Sequence, residues 1–155
     1  APFQTPKAGR VVEVCPAAQP YICAAGARLA AHGGAALIVD YGGWRSAGDT
    51  FQAMRAHAYA DPLAEPGHAD LTAHVDFEPL AAHSGVLHPF AEQGAFLTRL
   101  GIDARAARLA RSLDGAALQS HLAAHRRLTH PAEMGSVFKV LGLHRPGTPP
   151  PPGFA

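Results

Sequence analysis

The stretch from Asp70 to Phe77, DLTAHVDF, alternates strictly: Asp70, Thr72, His74 and Asp76 are polar, and Leu71, Ala73, Val75 and Phe77 are apolar. Period two predicts an extended strand with one buried face. Its polar face would present two carboxylates, a hydroxyl and an imidazole. A second polar pair, Asp40-Tyr41, follows the apolar run Ala35–Val39. Open α/β sheets bind ligands just beyond the carboxyl ends of such strands. Each residue also has a purely structural reading. Asp40 suits the start of a turn, and Asp76 suits the N-cap of a helix beginning at Phe77. Asp70 and Thr72, after Pro66-Gly67, suit a turn held by side chain to backbone bonds.

Other chemistries have weaker support. Ten histidines raise the question of a metal, with His74-x-Asp76 joined by His57, His68, His83 or His88. His121 and His125 are spaced for one helix face but have no glutamate between them. Structural histidines outnumber ligands, so no metal site is assigned. The chain contains no GxSxG turn, no GxGxxG and no P-loop, the motifs that would announce a serine nucleophile or a nucleotide phosphate.

The elements that must position these residues can be read from the pattern. Arg10–Val14 predicts a strand, and Cys15-Pro16 opens a helix with the stripe Ala18, Tyr21 or Ile22, Ala25 and Leu29, stopped by Gly33-Gly34. Ala35–Val39 predicts a strand covered on both faces. Residues 44–68 form a long excursion with a short helix near Thr50–His57. Asp76 starts a helix with the stripe Phe77, Leu80, Ala81, and Val86–Phe90 predicts a strand. Helices follow at Gly94–Leu100, Ala104–Leu113 (capped by Asp103) and Ala116–Arg127, and Ser136–His144 closes the fold. The alternation argues an α/β layered domain over residues 1–146, with a Pro-rich tail, 147–155, expected to be extended or disordered. The sheet looks incomplete, because Ala35–Val39 has few partners of its own kind.

Composition narrows the class. Of the 155 residues 48% are hydrophobic and 16% charged, with net charge +1. No strong field draws nucleic acid or anionic lipid, and the arginines between Arg99 and Arg127 read as solvated helix faces. No apolar run approaches the roughly 20 residues of a membrane span. Cys15 and Cys23, on one helix, would lie roughly 12 Å apart, too far for a disulfide; reduced thiols in a cytosol-like compartment are expected.

The segments VVEVCPAA, GGAALIVDYG, GDTFQAMRAH, DPLAEPGHADLTAHVDF, FLTRLGID and MGSVFKVLGL occur in this order. Together they resemble the C-terminal half of the MidA-like S-adenosylmethionine-dependent methyltransferases, a family that includes the mitochondrial arginine methyltransferase assisting respiratory complex I assembly. Cys15 and Glu92 stand where the family leads one to expect serine and threonine. The resemblance implies a class I methyltransferase fold: part of a Rossmann-like sheet with helices on both faces, an extra helical insertion before the last strand, and that last strand antiparallel. It implies S-adenosylmethionine as cofactor, held by a glycine-rich half upstream of these residues, so that this chain alone is expected to be inactive. It implies a protein arginine as acceptor, the missing N-terminal half as partner, and a bacterial cytoplasmic or mitochondrial matrix setting, without nucleic acid or membrane insertion.

Methyl transfer needs the acceptor nitrogen aligned with the methyl group, worth roughly 7–11 kcal/mol of the barrier. Carboxylates grip a guanidinium in a bidentate fork and favour departure of its proton. On that reading Asp40, Asp70 and Asp76 are the candidate carboxylates, and Tyr41, Thr72 and His74 shape the pocket. A non-catalytic assembly module, or a His/Asp metal hydrolase, is the alternative.

Overall fold

The computed structural model describes Gly9 and residues 11–154. Pro16 sits in the turn that leads into helix α1 (Ala18–His32), which ends where Gly33 and Gly34 adopt positive φ. Strand β1 (Ala35–Gly43) follows. The excursion holds strands β2 (Gln52–Arg55) and β3 (Ala58–Ala60), and then come β4 (Asp70–Thr72), β5 (Val75–Asp76) and helix α2 (Phe77–Ser84). Strand β6 (Phe90–Glu92) leads into helices α3 (Gln93–Arg99), α4 (Ile102–Ala110) and α5 (Gly115–Thr129), a π-turn at 131–135, and strand β7 (Phe138–His144).

The main sheet has the order β5-β1-β7-β6. β7 is antiparallel to both neighbours and β5 is parallel to β1, so three strands share one direction and the closing strand alone opposes them. Alternation along β1 sends Ala36 and Ile38 into a core built with Ile22 and Leu29 of α1, Phe77 and Ala81 of α2, and Leu141 and Leu143 of β7. α1 and α2 meet at Gly26, where a Cβ would fall 1.7 Å from the Ser84 carbonyl oxygen; only glycine permits that approach. The opposite face is covered beside β7 by α3, through Phe96 against Val140 and Ala91. Three helices therefore use both faces, and α3–α5 form the insertion ahead of the last strand.

Several expectations are corrected. β1 is not covered on both faces: Leu37 and Val39 are about half exposed. Its edge pairs with β5 only at Gly42 and Gly43, leaving Ala35–Tyr41 without a strand on that side among the described residues. Val11–Val14 form no strand, and Arg10 lies outside the described residues; β-branched residues favour a strand only where a partner and a packing surface exist. Residues 50–57 form no helix. β2 and β3 make a hairpin turning at Ala56 and His57, both at positive φ, because cross-strand pairing overrides weak local propensity. The strand expected at 86–90 begins at Phe90, with Leu87 bridging to His144. The second insertion helix is capped by Gly101 rather than Asp103, whose carboxylate instead takes His125 Nε2 at 2.9 Å. The tail packs down: the Phe154 ring meets Phe96 with centroids 5.0 Å apart, which offers the proline-rich segment an apolar seat. Among the described residues no helix is long and apolar enough to cross a membrane.

Candidate functional site

β1 and β5 converge at their carboxyl ends, with Gly42 opposite Val75 and Gly43 opposite Asp76. Tyr41, His74 and Asp76 gather at this junction. The period-two stretch does not form one strand as expected. It breaks at Ala73-His74, so its first half pairs with β2 in a separate three-stranded sheet and its second half pairs with β1. Leu71 is 57% exposed, so the predicted buried face exists only at Val75 and Phe77.

Asp76 is the residue with unsatisfied chemistry. It occupies the N-cap position of α2, yet its carboxylate makes no capping hydrogen bond. The Glu78 amide donates instead to the Trp44 carbonyl at 2.9 Å. Asp76 Oδ1 is buried with no hydrogen-bond partner among the described residues. Burial pushes its carboxyl above the ordinary range, and the adjacent Glu78 charge adds to this; the Glu78 and Ser46 amides and the Arg45 charge oppose it in part. Next to it Arg45 grips Glu78 in a bidentate fork, at 2.7 and 2.6 Å, pinning the loop after β1 to the first turn of α2. The Arg45 hydrogen bond holds the Glu78 carboxyl below its usual range.

Asp40 lies inside β1 and starts no turn; one of its carboxylate oxygens accepts from the adjacent Tyr41 amide at 2.8 Å. It stands opposite Lys139 of β7, which in turn stands opposite Glu92 of β6. Glu92, the charge found where a hydroxyl was expected, accepts from Ser136 Oγ at 2.8 Å. Tyr41 points to the other face, its ring edge-on to His74 at 5.8 Å and to Phe138 at 5.5 Å.

Sequence reasoning missed Glu13. Its carboxylate accepts from the Thr50 amide at 2.9 Å and from the Thr50 hydroxyl, and that hydroxyl accepts from the His74 amide at 2.9 Å. The Thr50 hydroxyl bond is the main cause of a Glu13 carboxyl held below its ordinary range. One signal was available: an acid set between the valines of a β-branched run.

The structure thus brings together Tyr41, His74 and Asp76, with Asp40 on the adjoining face. Asp70 and Thr72 lie on the small sheet, opposite Met54 and Gln52. Among the described residues no three His, Cys, Asp or Glu come together as a metal ion would require.

Comparison with known proteins adds the following. Residues 2–89 match the model of a family described as "Putative S-adenosyl-L-methionine-dependent methyltransferase". The chain is 41% identical over 137 residues to protein arginine methyltransferase NDUFAF7, mitochondrial, of Bos taurus, covering 85% of this chain and 31% of that protein. It is 39% identical over 137 residues to the Homo sapiens protein of the same name, again covering 85% and 31%. It spans about a third of the length of these curated relatives. An uncharacterized protein of Burkholderia thailandensis superposes with a TM-score of 0.74 at 27% identity, over 92% of this chain and 38% of that one. A superfamily member from the same bacterium, bound to S-adenosyl-homocysteine, gives 0.69 at 26% identity, over 90% and 36%.

Proposed function

The chain belongs to the S-adenosyl-L-methionine-dependent methyltransferase family, and from that membership we propose that it forms the acceptor side of a protein-arginine methyltransferase. The similarity to relatives named as protein arginine methyltransferases supports arginine as the methylated group. The resemblance set out above extends the proposal to assembly of respiratory complex I.

The cofactor is not held by these residues alone. A sulfonium nucleoside needs close backbone approach at a glycine-bearing strand-to-helix turn. The β5–α2 junction, Asp76-Phe77, has no glycine, and the glycine after β6, Gly94, is filled by the Thr129 carbonyl, 2.4 Å from where a Cβ would lie. The half-exposed Leu37 and Val39 and the unpaired edge of β1 instead support a reading in which the cofactor-bearing part of the domain completes the sheet here.

What this chain supplies is acceptor chemistry. The observation that carries the proposal is Asp76 Oδ1, buried and without a hydrogen-bond partner among the described residues, at the carboxyl ends of β1 and β5. A guanidinium donating to it would satisfy the orphan oxygen and gain a charge-assisted hydrogen bond. A carboxylate whose proton affinity is raised by burial is also suited to receive the proton that leaves the methylated nitrogen. Tyr41 and His74 wall the approach, and Asp40 adds negative potential from the adjoining face.

Two measurements test this. Calorimetric titration of S-adenosylmethionine into the 155-residue chain is expected to show no tight binding; tight binding overturns the division of labour. With these residues joined to a glycine-rich cofactor segment of the family, methyl transfer to an arginine peptide is expected to fall at least about tenfold in Asp76→Asn. Wild-type rates in that variant remove Asp76 from the site.

A further inference from the structure

We propose that the face of the small β3-β2-β4 sheet bearing Tyr59, Met54 and Asp70 is a docking surface for a guanidinium-bearing segment of a protein partner. Identifying that partner with the methyl acceptor rests on the function proposed above; the surface itself does not. Tyr59 stands directly opposite Met54, and Met54 directly opposite Asp70. Directly opposed residues of antiparallel strands keep their Cβ atoms about 4.5–5.5 Å apart. A phenol ring, a thioether and a carboxylate therefore form one continuous row across three strands. Buried Ala53 points to the other face, while Tyr59 is 78% exposed.

Beside the row lies an open concavity of about 290 Å³, lined by Met54, His68, Asp70 and Arg55. Arg55 does not neutralise Asp70, because its guanidinium is taken by Glu65. Asp70 forms no hydrogen bond or ion pair among the described residues. The charge of the surroundings selects the occupant. Residues 46–76 hold five carboxylates and a single arginine or lysine, Arg55, beside three histidines, in a chain of net charge +1 with its histidines neutral. Phosphate-bearing partners, nucleic acid or an anionic membrane, are repelled by such a surface. An arginine fits each member of the row: its planar fork pairs with a carboxylate, its face stacks on a phenol ring, and its methylene stem lies on a thioether.

Asp70 was expected beside Asp76, but the break at His74 sends it to a different sheet. A protein bearing more than one basic side chain would meet one carboxylate at the small sheet and another at the strand junction.

Fluorescence anisotropy with a fluorescein-labelled peptide GRGRGRG and the full 155-residue chain tests the surface. The arginine peptide is expected to bind, and its counterpart GQGQGQG to bind at least about tenfold more weakly. Asp70→Asn and Tyr59→Ala are each expected to weaken the arginine peptide about tenfold, with Asp70→Glu restoring binding. Both positions are exposed, and circular dichroism melting checks that the variants fold. Equal affinity for the two peptides, or wild-type affinity in both variants, overturns the proposal. Self-association of the chain through this face, seen as a dimer dispersed by Tyr59→Ala, overturns it in favour of a second copy. The assay needs no methyl donor, so binding through Asp70 and Tyr59 in a protein that transfers no methyl group supports the docking surface and counts against the methyl-transfer reading alone.

Discussion

Gly42 and Val75 lie so close that a Cβ on Gly42 would fall 2.1 Å from the Val75 carbonyl oxygen. This contact is the joint at which β5 adds to β1, and it sets where Asp76 stands. Backbone on both sides leaves nothing flexible to yield. Gly42→Ala is therefore expected to cost about 3 kcal/mol, the upper end of overpacking penalties, read as a lowered denaturation midpoint. A midpoint within experimental error of wild type shows that the joint can open.

Asp76 predicts a trade between stability and chemistry. Its folded carboxyl holds its proton more tightly than the unfolded chain does, chiefly because of burial. The associated stabilisation is complete in acid, below the unfolded value, and is lost as pH rises through the folded one. Burial penalises its ionised form as pH rises, and the Glu78 and Ser46 amides and the Arg45 charge offset that only in part. Asp76→Asn is thus expected to stabilise the protein by about 1 kcal/mol near pH 7, a gain that vanishes near pH 3. Thermal melts at the two pH values check the sign.

Glu13 behaves in the opposite sense. Its carboxyl is held below the ordinary range by the Thr50 hydroxyl, so its stabilisation is present above the unfolded value and fades as pH falls through the folded one. Glu13→Gln is expected to cost at most about 1 kcal/mol near neutrality, a charge-assisted hydrogen bond weakened by solvent screening. Because Thr50 passes the contact to the His74 amide, hydrogen exchange at His74 should quicken in the same variant. Unchanged exchange there separates Glu13 from the site.

The β2–β3 hairpin turns through Ala56 and His57 at φ 49° and 64°. Neither residue is at ease there, and asparagine-glycine is the pair such a turn prefers. Replacing Ala56-His57 by Asn-Gly is expected to stabilise the protein by about 1 kcal/mol, given roughly 1–2 kcal/mol of strain per left-handed residue. Denaturant titration reads it.

Phe154 anchors the tail on Phe96. Phe154→Ala is expected to cost about 2 kcal/mol, below the loss for a fully buried phenylalanine because the residue is only partly buried. Proteolysis should then cut first within the proline-rich segment, and protection equal to wild type would show that the prolines hold themselves.

Local order was written in the residues themselves. The stripe of α1, the glycines that stop it, the apolar run of β1, the three insertion helices and the closing strand all follow from periodicity and punctuation, which act over a few residues. Asp40-Tyr41 and Asp76 could be singled out by their place beside apolar runs, although β1 runs on past Asp40 to Gly43. Partner choice was not legible. Which strand pairs with Asp70 and which with Asp76 depends on contacts between distant residues, and a single break at His74 divided one periodic stretch between two sheets. Glu13 entered the site across a separation of 37 residues. Val11–Val14 had strand propensity but pair with no strand among the described residues, whereas residues 52–55 became a strand because β3 and β4 offered edges on both sides. Propensity and spacing are properties of short segments; pairing, burial and the orphaned oxygen of Asp76 arise only when segments far apart in the chain close on one another.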